Sequence, residues 1–366
     1  MKVVHVFWSL GYGGIETMLV NIANAQVKLG ADVHIIILNQ LMEQPLVDRL
    51  DKRVKFYCLG RRLKSKNLWF IVILNRLLLK INPDVIHLHG SDLYAILLCK
   101  RLKRIAVSTL HDLPYGRVRR ATPAARLFPI LNFLLEGNVS CINLVPRVFA
   151  ISNSVQKALL DNYGVKSKVI ENGILTGNFK QRENSSLKDG QQMHIVCVSR
   201  LEHEKKGQDL LVEAAKKLNG KVNVSFVGIG NSMEFLKVLT LKLNAENYVH
   251  FLGKKPQAWI AEHLRDYDLF VQASRWEGFG LTVAEAMAAK LPVLVSSGQG
   301  PAEVTENDKF GWVFKNGDPN DLADKIQYIA THYSDALAKA EKAMQHVREN
   351  YDVSVTARKY LEAYKK

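Results

Sequence analysis

Cysteine is scarce in this chain, with four residues among 366. No two of them have the spacing of a zinc-binding pair. We therefore expect buried free thiols and no disulfide framework, as is typical of a reducing compartment such as the cytoplasm. The four are Cys58, Cys99, Cys141 and Cys197.

The sequence also lacks a long uninterrupted apolar run. The longest, Trp69–Ile81, contains Asn75, Arg76 and Lys80, whereas a helix that spans a bilayer needs roughly 20 mostly apolar residues. The first residues, MKVVHVFWSL, lead into a glycine-rich turn without a small-residue cleavage site. We therefore predict a first β-strand there, no signal peptide and no membrane-spanning segment.

Acidic residues are few in the first half of the chain. Residues 1–175 contain 24 Lys and Arg against 11 Asp and Glu, whereas residues 176–366 contain 26 against 24. Most of the formal net charge of +15 therefore lies in the first half. Such asymmetry indicates an anionic partner, although a generally solvated basic surface would explain it too.

What the sequence does have is a regular alternation of short apolar runs and helical patterns. The apolar runs are continuous, as in parallel strands covered on both faces, and the residues between them have helical periodicity. A polar stretch, Lys180–Gln192, separates two such series and reads as a linker. We predict an α/β protein of two doubly wound, Rossmann-like domains facing across a cleft. The first is residues 1–175, the second is residues 176–351, and a last helix at about 352–366 packs back on the first.

The strongest chemical motif is a pair of glutamates eight positions apart. Glu277 lies in a turn after the apolar run Leu269–Ala273, and Glu285 lies inside the helix that follows. Gly278 and Gly280 allow the backbone to approach a ligand closely, and the free amides at the helix start favour phosphate. The two carboxylates can then bind two parts of a sugar nucleotide, with Glu285 suited to the vicinal hydroxyls of a ribose.

This segment resembles the Glu-x7-Glu signature of the retaining GT-B glycosyltransferases of family 4. The neighbouring residues match as well: Glu277-Gly-Phe-Gly-Leu, Glu285-Ala-Met-Ala and Lys290-Leu-Pro-Val. The resemblance covers nearly the whole chain and implies a GT-B fold and retention of anomeric configuration. The donor-binding residues that it implies in this segment are Phe279, Gly280, Leu281 and Glu285.

A second motif places cations directly after a predicted strand, in Ser199-Arg-Leu-Glu-His-Glu-Lys-Lys-Gly207. A diphosphate leaving group gains charge as the glycosidic bond breaks, and an Arg fork and a Lys ammonium stabilise that charge. In the resembling family an Arg and a Lys directly before Gly hold the diphosphate, which implies Arg200 and Lys206 here. Many members have one residue fewer in this loop, so Lys205 stays an alternative.

The glycine loop between the first strand and the first helix contains Gly13 and Gly14. A dinucleotide fingerprint fails there, because Glu16 stands where the last glycine is needed. The loop instead resembles the family's N-terminal loop, whose backbone faces the donor phosphates and the acceptor. Gly228, in Val227-Gly-Ile-Gly, resembles a second glycine turn of the family, near the nucleotide.

Histidines stand at the ends of two predicted strands. His111 occupies the position at which family members commonly place a histidine that contacts the transferred sugar near the reacting carbon. His87 and His89 lie on one side of another strand end. Because the sequence offers no third ligand beside them, we predict no metal site there.

Two further matches are weaker. Glu171-Asn-Gly-Ile resembles the family's turn at the domain junction, with Leu175 where Asp is frequent. Asp266-Tyr-Asp268 is formally the Asp-x-Asp metal motif of a different glycosyltransferase fold. It precedes a strand in the ordinary way, so we predict no metal there either.

Basic side chains cluster beside the apolar stretch Leu127–Leu135, a combination that suits an anionic membrane surface or a lipid-linked acceptor. A plain solvated surface is the alternative, and no nucleic-acid module is recognisable. We predict a cytoplasmic protein, with peripheral contact to the inner face of the membrane. The clustered residues are Arg101, Lys103, Arg104, Arg117, Arg119, Arg120 and Arg126.

The reaction that the resemblance implies is a front-face displacement assisted by the donor phosphate, with no metal or other cofactor. Glu277 would orient the transferred sugar, a hexose or N-acetylhexosamine, and UDP is the preferred nucleotide on family frequency. The acceptor would be a saccharide or a lipid-linked sugar in bacterial surface polysaccharide or lipopolysaccharide synthesis. Two alternatives stay open: a nucleotide-sugar epimerase on the same scaffold, and a non-catalytic basic binding protein.

Overall fold

The computed structural model describes residues 1–11, 13–63, 65, 67–90, 98–112, 145–183, 187 and 191–365. The chain forms two compact units, which we call unit 1, Met1–Gly173 with Val353–Lys366, and unit 2, Ile174–Asp352. Each unit contains its own parallel β-sheet with helices packed against it. From the sequence, the boundary between the domains is predicted after residue 175 and the returning helix from about 352.

Unit 1 contains a seven-stranded sheet in the order β3-β2-β1-β4-β5-β6-β7. The strands at its centre are buried along nearly their whole length, as the continuous apolar runs predict. The order reverses beside β1, which is the doubly wound arrangement. The strands are β1 Lys2–Phe7, β2 Asp32–Asn39, β3 Lys55–Arg61, β4 Val85–His89, β5 Ala106–Leu110, β6 Arg147–Ala150 and β7 Lys168–Val169.

The described part of unit 1 contains five helices between Met1 and Gly173, together with the last helix of the chain. The long first helix buries one apolar face, ends at a basic residue and is followed by Gly30 at φ 86°, as the periodicity predicts. The helices are α1 Gly14–Lys28, α2 Gln44–Val47, α3 Trp69–Ile81, α4 Lys100–Lys103, α5 Asn153–Tyr163 and, from the C-terminus, α14 Val353–Lys365.

Unit 2 repeats the doubly wound pattern with six strands in the order β10-β9-β8-β11-β12-β13. Its core is an apolar cluster that includes Phe226, Leu211 and Phe314, all almost fully buried. The strands are β8 Met193–Val198, β9 Val222–Val227, β10 Val249–Gly253, β11 Leu269–Gln272, β12 Val293–Ser296 and β13 Trp312–Phe314.

The helices of unit 2 follow its strands in sequence, and several begin at the carboxyl end of a strand. They are α6 His203–Lys206, α7 Gln208–Leu218, α8 Met233–Lys242, α9 Gln257–His263, α10 Leu281–Ala288, α11 Gly300–Val304, α12 Pro319–Thr331 and α13 Tyr333–Asn350. The two sheets and their connections give the GT-B type of fold that the sequence predicts.

The prediction that Lys180–Gln192 is a linker is wrong for its first residues. The Lys180 amide donates to the Ala261 carbonyl at 2.9 Å, and the Arg182 amide donates to the Ala289 carbonyl at 2.8 Å. The Arg182 side chain is 7% exposed and forms an ion pair with Asp268 at 2.7 Å. This part of the stretch is therefore packed on unit 2, and most of the remainder lies outside the described residues.

The expectation of buried cysteines holds for one of the three in the described part of the chain. Cys197 is buried, whereas Cys58 and Cys99 are free thiols at the surface; Cys141 lies outside the described residues. Burial raises the pKa of the Cys197 thiol to about 11, a shift that a hydrogen bond with Ser199 opposes. Within the described ranges, none of the helices has the length and apolar character to span a bilayer.

Candidate active site

The carboxyl ends of parallel strands lie at one edge of their sheet, and ligands of open α/β sheets bind there. In unit 2 the segments that leave this edge are Ser199–Arg200 after β8, Gly228 after β9 and Ser274–Glu277 after β11. In unit 1 they are the Gly13–Gly14 loop after β1 and His111 after β5. The local order of the chain therefore places every predicted site residue outside Glu285 at or near a strand end or helix start.

Lys206 and Glu277 are in direct contact in unit 2. The Lys206 ammonium donates to a carboxylate oxygen of Glu277, and the two side chains are only 14% and 17% exposed. Lys206 is the last residue of α6, and Gly207 follows it in the left-handed conformation with φ 62°. The side chain of Lys206 is thereby brought to the motif after β11.

Glu277 is held from two further directions. The Gln272 amide, at the end of β11, donates to the same carboxylate oxygen at 3.1 Å, and the Gln272 carbonyl accepts from the Thr282 hydroxyl at 2.9 Å. The backbone amide of Glu277 donates to the side-chain oxygen of Gln299. These contacts fix the Glu277 carboxylate before any ligand arrives, and neither glutamine was predicted from the sequence.

The turn that carries Glu277 is anchored to α7. Arg275 donates through two nitrogens to the Asp209 carboxylate, at 2.8 and 2.7 Å, and through its backbone amide to the Lys205 carbonyl at 2.8 Å. The Asp209 carboxylate raises the pKa of the Arg275 guanidinium. A bidentate pair of this kind adds geometric definition to the loop.

Arg200 lies in a more open position than Lys206. Its guanidinium is 67% exposed and lies 3.2 Å from the Glu202 carboxylate, so the structure does not pair it with Glu277. Gly228 packs against this loop with φ 145°, and a Cβ there would lie 1.9 Å from the Ser199 carbonyl oxygen. Only glycine fits at this position, so the Gly228 backbone and the Arg200 loop are neighbours.

The first turn of α10 contains the other predicted donor residues. Gly280 is the N-cap with φ 102°, a conformation that favours glycine, and Leu281 begins the helix. The Phe279 ring is 3% exposed and lies edge-on to Tyr351, with ring centroids 5.5 Å apart. The Phe279 side chain is therefore not available to a ligand, whereas the start of α10 beside it has free backbone amides.

Glu285 lies one turn further into α10 and is half-buried. Its carboxylate accepts from the Gln257 amide at 2.8 Å. Burial raises the pKa of Glu285 to about 7, against the opposing effect of the Gln257 hydrogen bond. At neutral pH the unliganded side chain is therefore divided between its neutral and ionised forms, and is not the full anion expected from the sequence.

The Asp-x-Asp motif has no free aspartate pair. The Asp268 carboxylate is buried and accepts from the Arg182 guanidinium at 2.7 Å and from the His194 backbone amide at 2.8 Å. Asp266 is exposed and lies 2.7 Å from the His263 ring. Asp268 is therefore an internal anchor of unit 2.

In unit 1, Gly13 caps α1 and Gly14 is its first residue. The backbone of Gly13 is fully extended, with φ −175°, a conformation open to any residue. A side chain there would instead meet the Glu16 carboxylate, since an added Cβ would lie 2.2 Å from it. Because that carboxylate is the end of a flexible side chain, the contact does not by itself restrict the position to glycine.

His111 belongs to a cluster of four buried histidines. His5 on β1 is the register partner of His87 on β4, and His89 lies two residues further along the same face. His89 is in turn the partner of Thr109 on β5, two residues before His111. Because side chains two residues apart share a face of a sheet, the register brings all four rings together.

Although the sequence suggests no third ligand beside His87 and His89, the structure places His5 there. His5 places a ring nitrogen within 4.8 Å of theirs, a juxtaposition that depends on strand register. The ring nitrogens of these three residues nevertheless have hydrogen-bond partners within the protein. Burial lowers the pKa of His5 to about 4 and holds those of His87 and His89 well below 6.5, so the cluster is neutral at physiological pH.

Comparison with known proteins agrees with this arrangement. Residues 12–177 match the family described as Glycosyltransferase Family 4, and residues 178–347 match Glycosyl transferases group 1. The chain belongs to the group 1 glycosyltransferases. It is therefore a transferase, built on the GT-B fold, and the Lys206–Glu277 pair lies in the part that matches the second family.

Two curated relatives of this glycosyltransferase come from bacteria. It is 27% identical over 228 residues to the poly(ribitol-phosphate) alpha-N-acetylglucosaminyltransferase of Staphylococcus aureus, covering 61% of this chain and 44% of that one. It is 32% identical over 159 residues to the N,N'-diacetylbacillosaminyl-diphospho-undecaprenol alpha-1,3-N-acetylgalactosaminyltransferase of Campylobacter jejuni, covering 43% and 41%. The chain thus spans less than half the length of both.

Among solved structures, Anabaena HepE in complex with UDP and glucose is similar over 100% of both chains, with a TM-score of 0.78 and 21% identity. At this level of identity the likeness establishes the fold. The residues that support the site, and that the sequence did not indicate, are therefore identified from the contacts within this chain. No sequence motif marks the three glutamines of the site. They are recognised only by their positions in the structure, since Gln272 and Gln299 contact Glu277 and Gln257 contacts Glu285.

Proposed function

We propose that this glycosyltransferase moves a hexose or N-acetylhexosamine from a nucleotide diphosphate sugar, with UDP preferred, to a saccharide or lipid-linked acceptor with retention of configuration. The observation that carries the proposal is the contact between Lys206 and Glu277 beside the start of α10. A fixed ammonium and free helix amides suit a diphosphate, while a fixed carboxylate suits sugar hydroxyls.

In this proposal Lys206 and Arg200 stabilise the charge that develops on the leaving diphosphate. The exposed Arg200 guanidinium exchanges its weak partner Glu202 for phosphate oxygens. Glu277 orients the transferred sugar, and Glu285 accepts from the ribose hydroxyls. His111 contacts the sugar near the reacting carbon. The acceptor attacks the face that the diphosphate leaves, and a donor phosphate oxygen takes the acceptor's proton, so no protein carboxylate attacks the sugar.

The names of similar proteins support the finer points. HepE was solved with UDP and glucose, and the Staphylococcus and Campylobacter relatives are alpha-transferases, one of them named for a diphospho-undecaprenol substrate. An alpha product from an alpha-linked nucleotide sugar is retention. These names favour UDP, a lipid-linked or polymeric acceptor, and a role in bacterial surface polysaccharide or lipopolysaccharide assembly.

The proposed reaction needs no metal or other cofactor. The engagement of Asp268 with Arg182 supports this, since it removes one aspartate of the Asp-x-Asp motif from metal binding. Lys206, Arg200 and the helix amides would supply the positive charge that a divalent ion supplies elsewhere.

We further propose a location at the inner face of the cytoplasmic membrane, with peripheral contact through unit 1. Phe70, Leu74 and Leu78 of α3 are buried, while Trp69 and Ile73 on its other face are 65% and 48% exposed. Further exposed apolar residues are Leu68, Val72 and Leu79. Four basic residues with exposed side chains lie on or next to these helices: Arg76 and Lys80 on α3, Arg101 on α4 and Arg104 directly after α4. The Arg117–Arg126 cluster lies outside the described residues.

Incubation of the protein with UDP-glucose and UDP-N-acetylglucosamine, with and without an undecaprenyl-diphosphate-linked sugar, tests the proposal. We expect UDP release and an alpha-linked product by NMR only when the acceptor is present. An epimerised nucleotide sugar formed from donor alone would reject the transferase mechanism, and a beta-linked product would reject retention.

A further inference from the structure

The side chain of His111 is 8% exposed, and its Nδ1 atom has no hydrogen-bond partner among the described residues. Leaving a buried polar atom unpaired is destabilising. An acceptor or donor left open in this way, at the end of β5 and on the edge where ligands bind, indicates that a ligand completes it. Whether Nδ1 accepts or donates then decides which ligand group it recognises.

The other nitrogen of His111 is the end of a chain of hydrogen bonds. His111 Nε2 lies 3.0 Å from His89 Nδ1, and His89 Nε2 lies 2.9 Å from His5 Nδ1. His5 Nε2 lies 2.8 Å from the side-chain oxygen of Gln26 on α1. All three rings are buried and, because burial depresses the pKa of each, all three are neutral.

A neutral imidazole has one N–H and one lone pair, so each contact between two rings needs one donor and one acceptor. The tautomers along the chain are therefore coupled, and the group at its head selects them. The carboxamide oxygen of Gln26 can only accept, which puts the His5 proton on Nε2. His5 Nδ1 then accepts from His89 Nε2–H, and His89 Nδ1 accepts from His111 Nε2–H.

We propose that Gln26, His5 and His89 form a hydrogen-bonded relay that holds His111 with its proton on Nε2 and presents a bare Nδ1 as acceptor for a sugar hydroxyl. Gln26, His5 and His89 are positioning residues, and His111 is the group that touches substrate. This assignment rests on the proposed function for the identity of the ligand, but the tautomer itself does not depend on it.

The direct test is the tautomer of His111 in the ligand-free protein, read from the ¹⁵N shifts of selectively labelled histidines. We expect His5, His89 and His111 all to carry their protons on Nε2 at pH 7. A proton on Nδ1 of His111 would overturn the relay, whether or not the protein ever proves to bind a nucleotide sugar.

The variant test exchanges Gln26 for residues that differ only in what they offer His5. Gln26→Met removes the acceptor, so His111 should become a mixture of tautomers, whereas Gln26→Glu keeps an acceptor and should keep the wild-type tautomer. Gln156→Met is the matched control, because Gln156 of α5 donates to the Ser167 carbonyl away from the cluster. An unchanged His111 tautomer in Gln26→Met contradicts the proposal.

Substrate discrimination gives the functional readout. With UDP-glucose as donor, Gln26→Met should lower kcat/KM about tenfold, the effect of one lost hydrogen bond. Among deoxyfluoro analogues of UDP-glucose, wild type should reject the one whose fluorine replaces the donating hydroxyl, and Gln26→Met should lose that selectivity. Equal discrimination by both proteins would argue that Nδ1 does not accept from the sugar.

Discussion

At the scale of single residues, Glu277 is held by more hydrogen bonds than Glu285, the other glutamate of the motif. It is the partner of Lys206, and Gln272, Ser274 and Gln299 surround it. A carboxylate held so firmly contributes orientation at no cost of rearrangement when the sugar binds. Its main effect is therefore expected on turnover.

Glu277→Gln should lower kcat at least about 100-fold while changing KM for the donor little, because the neutral amide neither pairs with Lys206 nor accepts as strongly from sugar hydroxyls. Steady-state kinetics with UDP-glucose measure both quantities. Glu202→Gln, on the Arg200 loop, is the control and should retain kcat within a few-fold. A Glu277→Gln protein with unchanged kcat would remove Glu277 from the reaction.

Glu285 gives a pH-dependent signature. Its pKa of about 7 in the folded protein lies above the ordinary 4.5. The unfolded chain therefore releases the proton first, and stability falls as pH rises from about 4.5 to 7, with the loss complete above 7. Glu285→Gln should consequently raise Tm relative to wild type at pH 8, with little difference at pH 4.

The same substitution should weaken UDP binding, and wild-type affinity should rise between pH 6 and 8 as the carboxylate ionises to accept from the ribose. Calorimetry at several pH values measures this dependence, which Glu285→Gln should lack. A parallel pH dependence in both proteins would show that Glu285 does not touch the nucleotide.

Residue identity at the site could largely be proposed from the sequence, because Glu277 and Glu285 lie in a motif of fixed spacing and Lys206 directly precedes a motif glycine. The supporting residues could not. His5 and Gln26 read as ordinary core positions, and only the pairing of β1 with β4 and of β4 with β5 joins them to His111. Long-range register of this kind is not encoded in any short stretch.

At the scale of elements, the short helix α6 is held at its end by Gly207. This glycine has φ 62°, and a Cβ there would lie 2.0 Å from the Ala273 carbonyl oxygen. Lys206 thus reaches Glu277 because the backbone passes directly over the end of β11. The close approach of Ala273 thus explains why a glycine follows Lys206 in this chain.

Gly207→Ala should lower the free energy of unfolding by more than the strain of a left-handed residue alone, which is about 1–3 kcal/mol. Gly220→Ala isolates that strain, since Gly220 has φ 78° with nothing within 4 Å of an added Cβ. Thermal or urea unfolding compares the two variants. Equal destabilisation would show that the close approach to Ala273 is relaxed at little cost.

The proposed membrane contact can be tested on helix α3, which exposes Trp69 and Ile73. Replacing Trp69 and Ile73 together by Ser should reduce binding to vesicles rich in phosphatidylglycerol at least about tenfold, since each apolar side chain contributes 1.5–3 kcal/mol when buried. Leu160→Ser with Val238→Ser is the control, because both residues are similarly exposed on other helices. Equal vesicle binding by the two double variants would place the contact elsewhere.

At the scale of the whole molecule, the double α/β architecture follows from the sequence because buried parallel strands leave continuous apolar runs. The packing of the segment around Arg182 could not be foreseen, since a buried guanidinium paired with Asp268 looks polar in sequence. The last helix, α14, was foreseen as a helix, whereas its insertion of Tyr360 and Tyr364 beside His87 depends on tertiary packing.

Unit 2 is expected to bind a nucleotide diphosphate sugar through Lys206 without a metal. Calorimetric titration of UDP-glucose into wild type, Lys206→Ala and Lys205→Ala, all in excess EDTA, measures this binding. We expect binding by wild type and Lys205→Ala, and affinity at least about tenfold weaker in Lys206→Ala. Equal affinity in all three proteins, or binding that requires an added divalent ion, would contradict it.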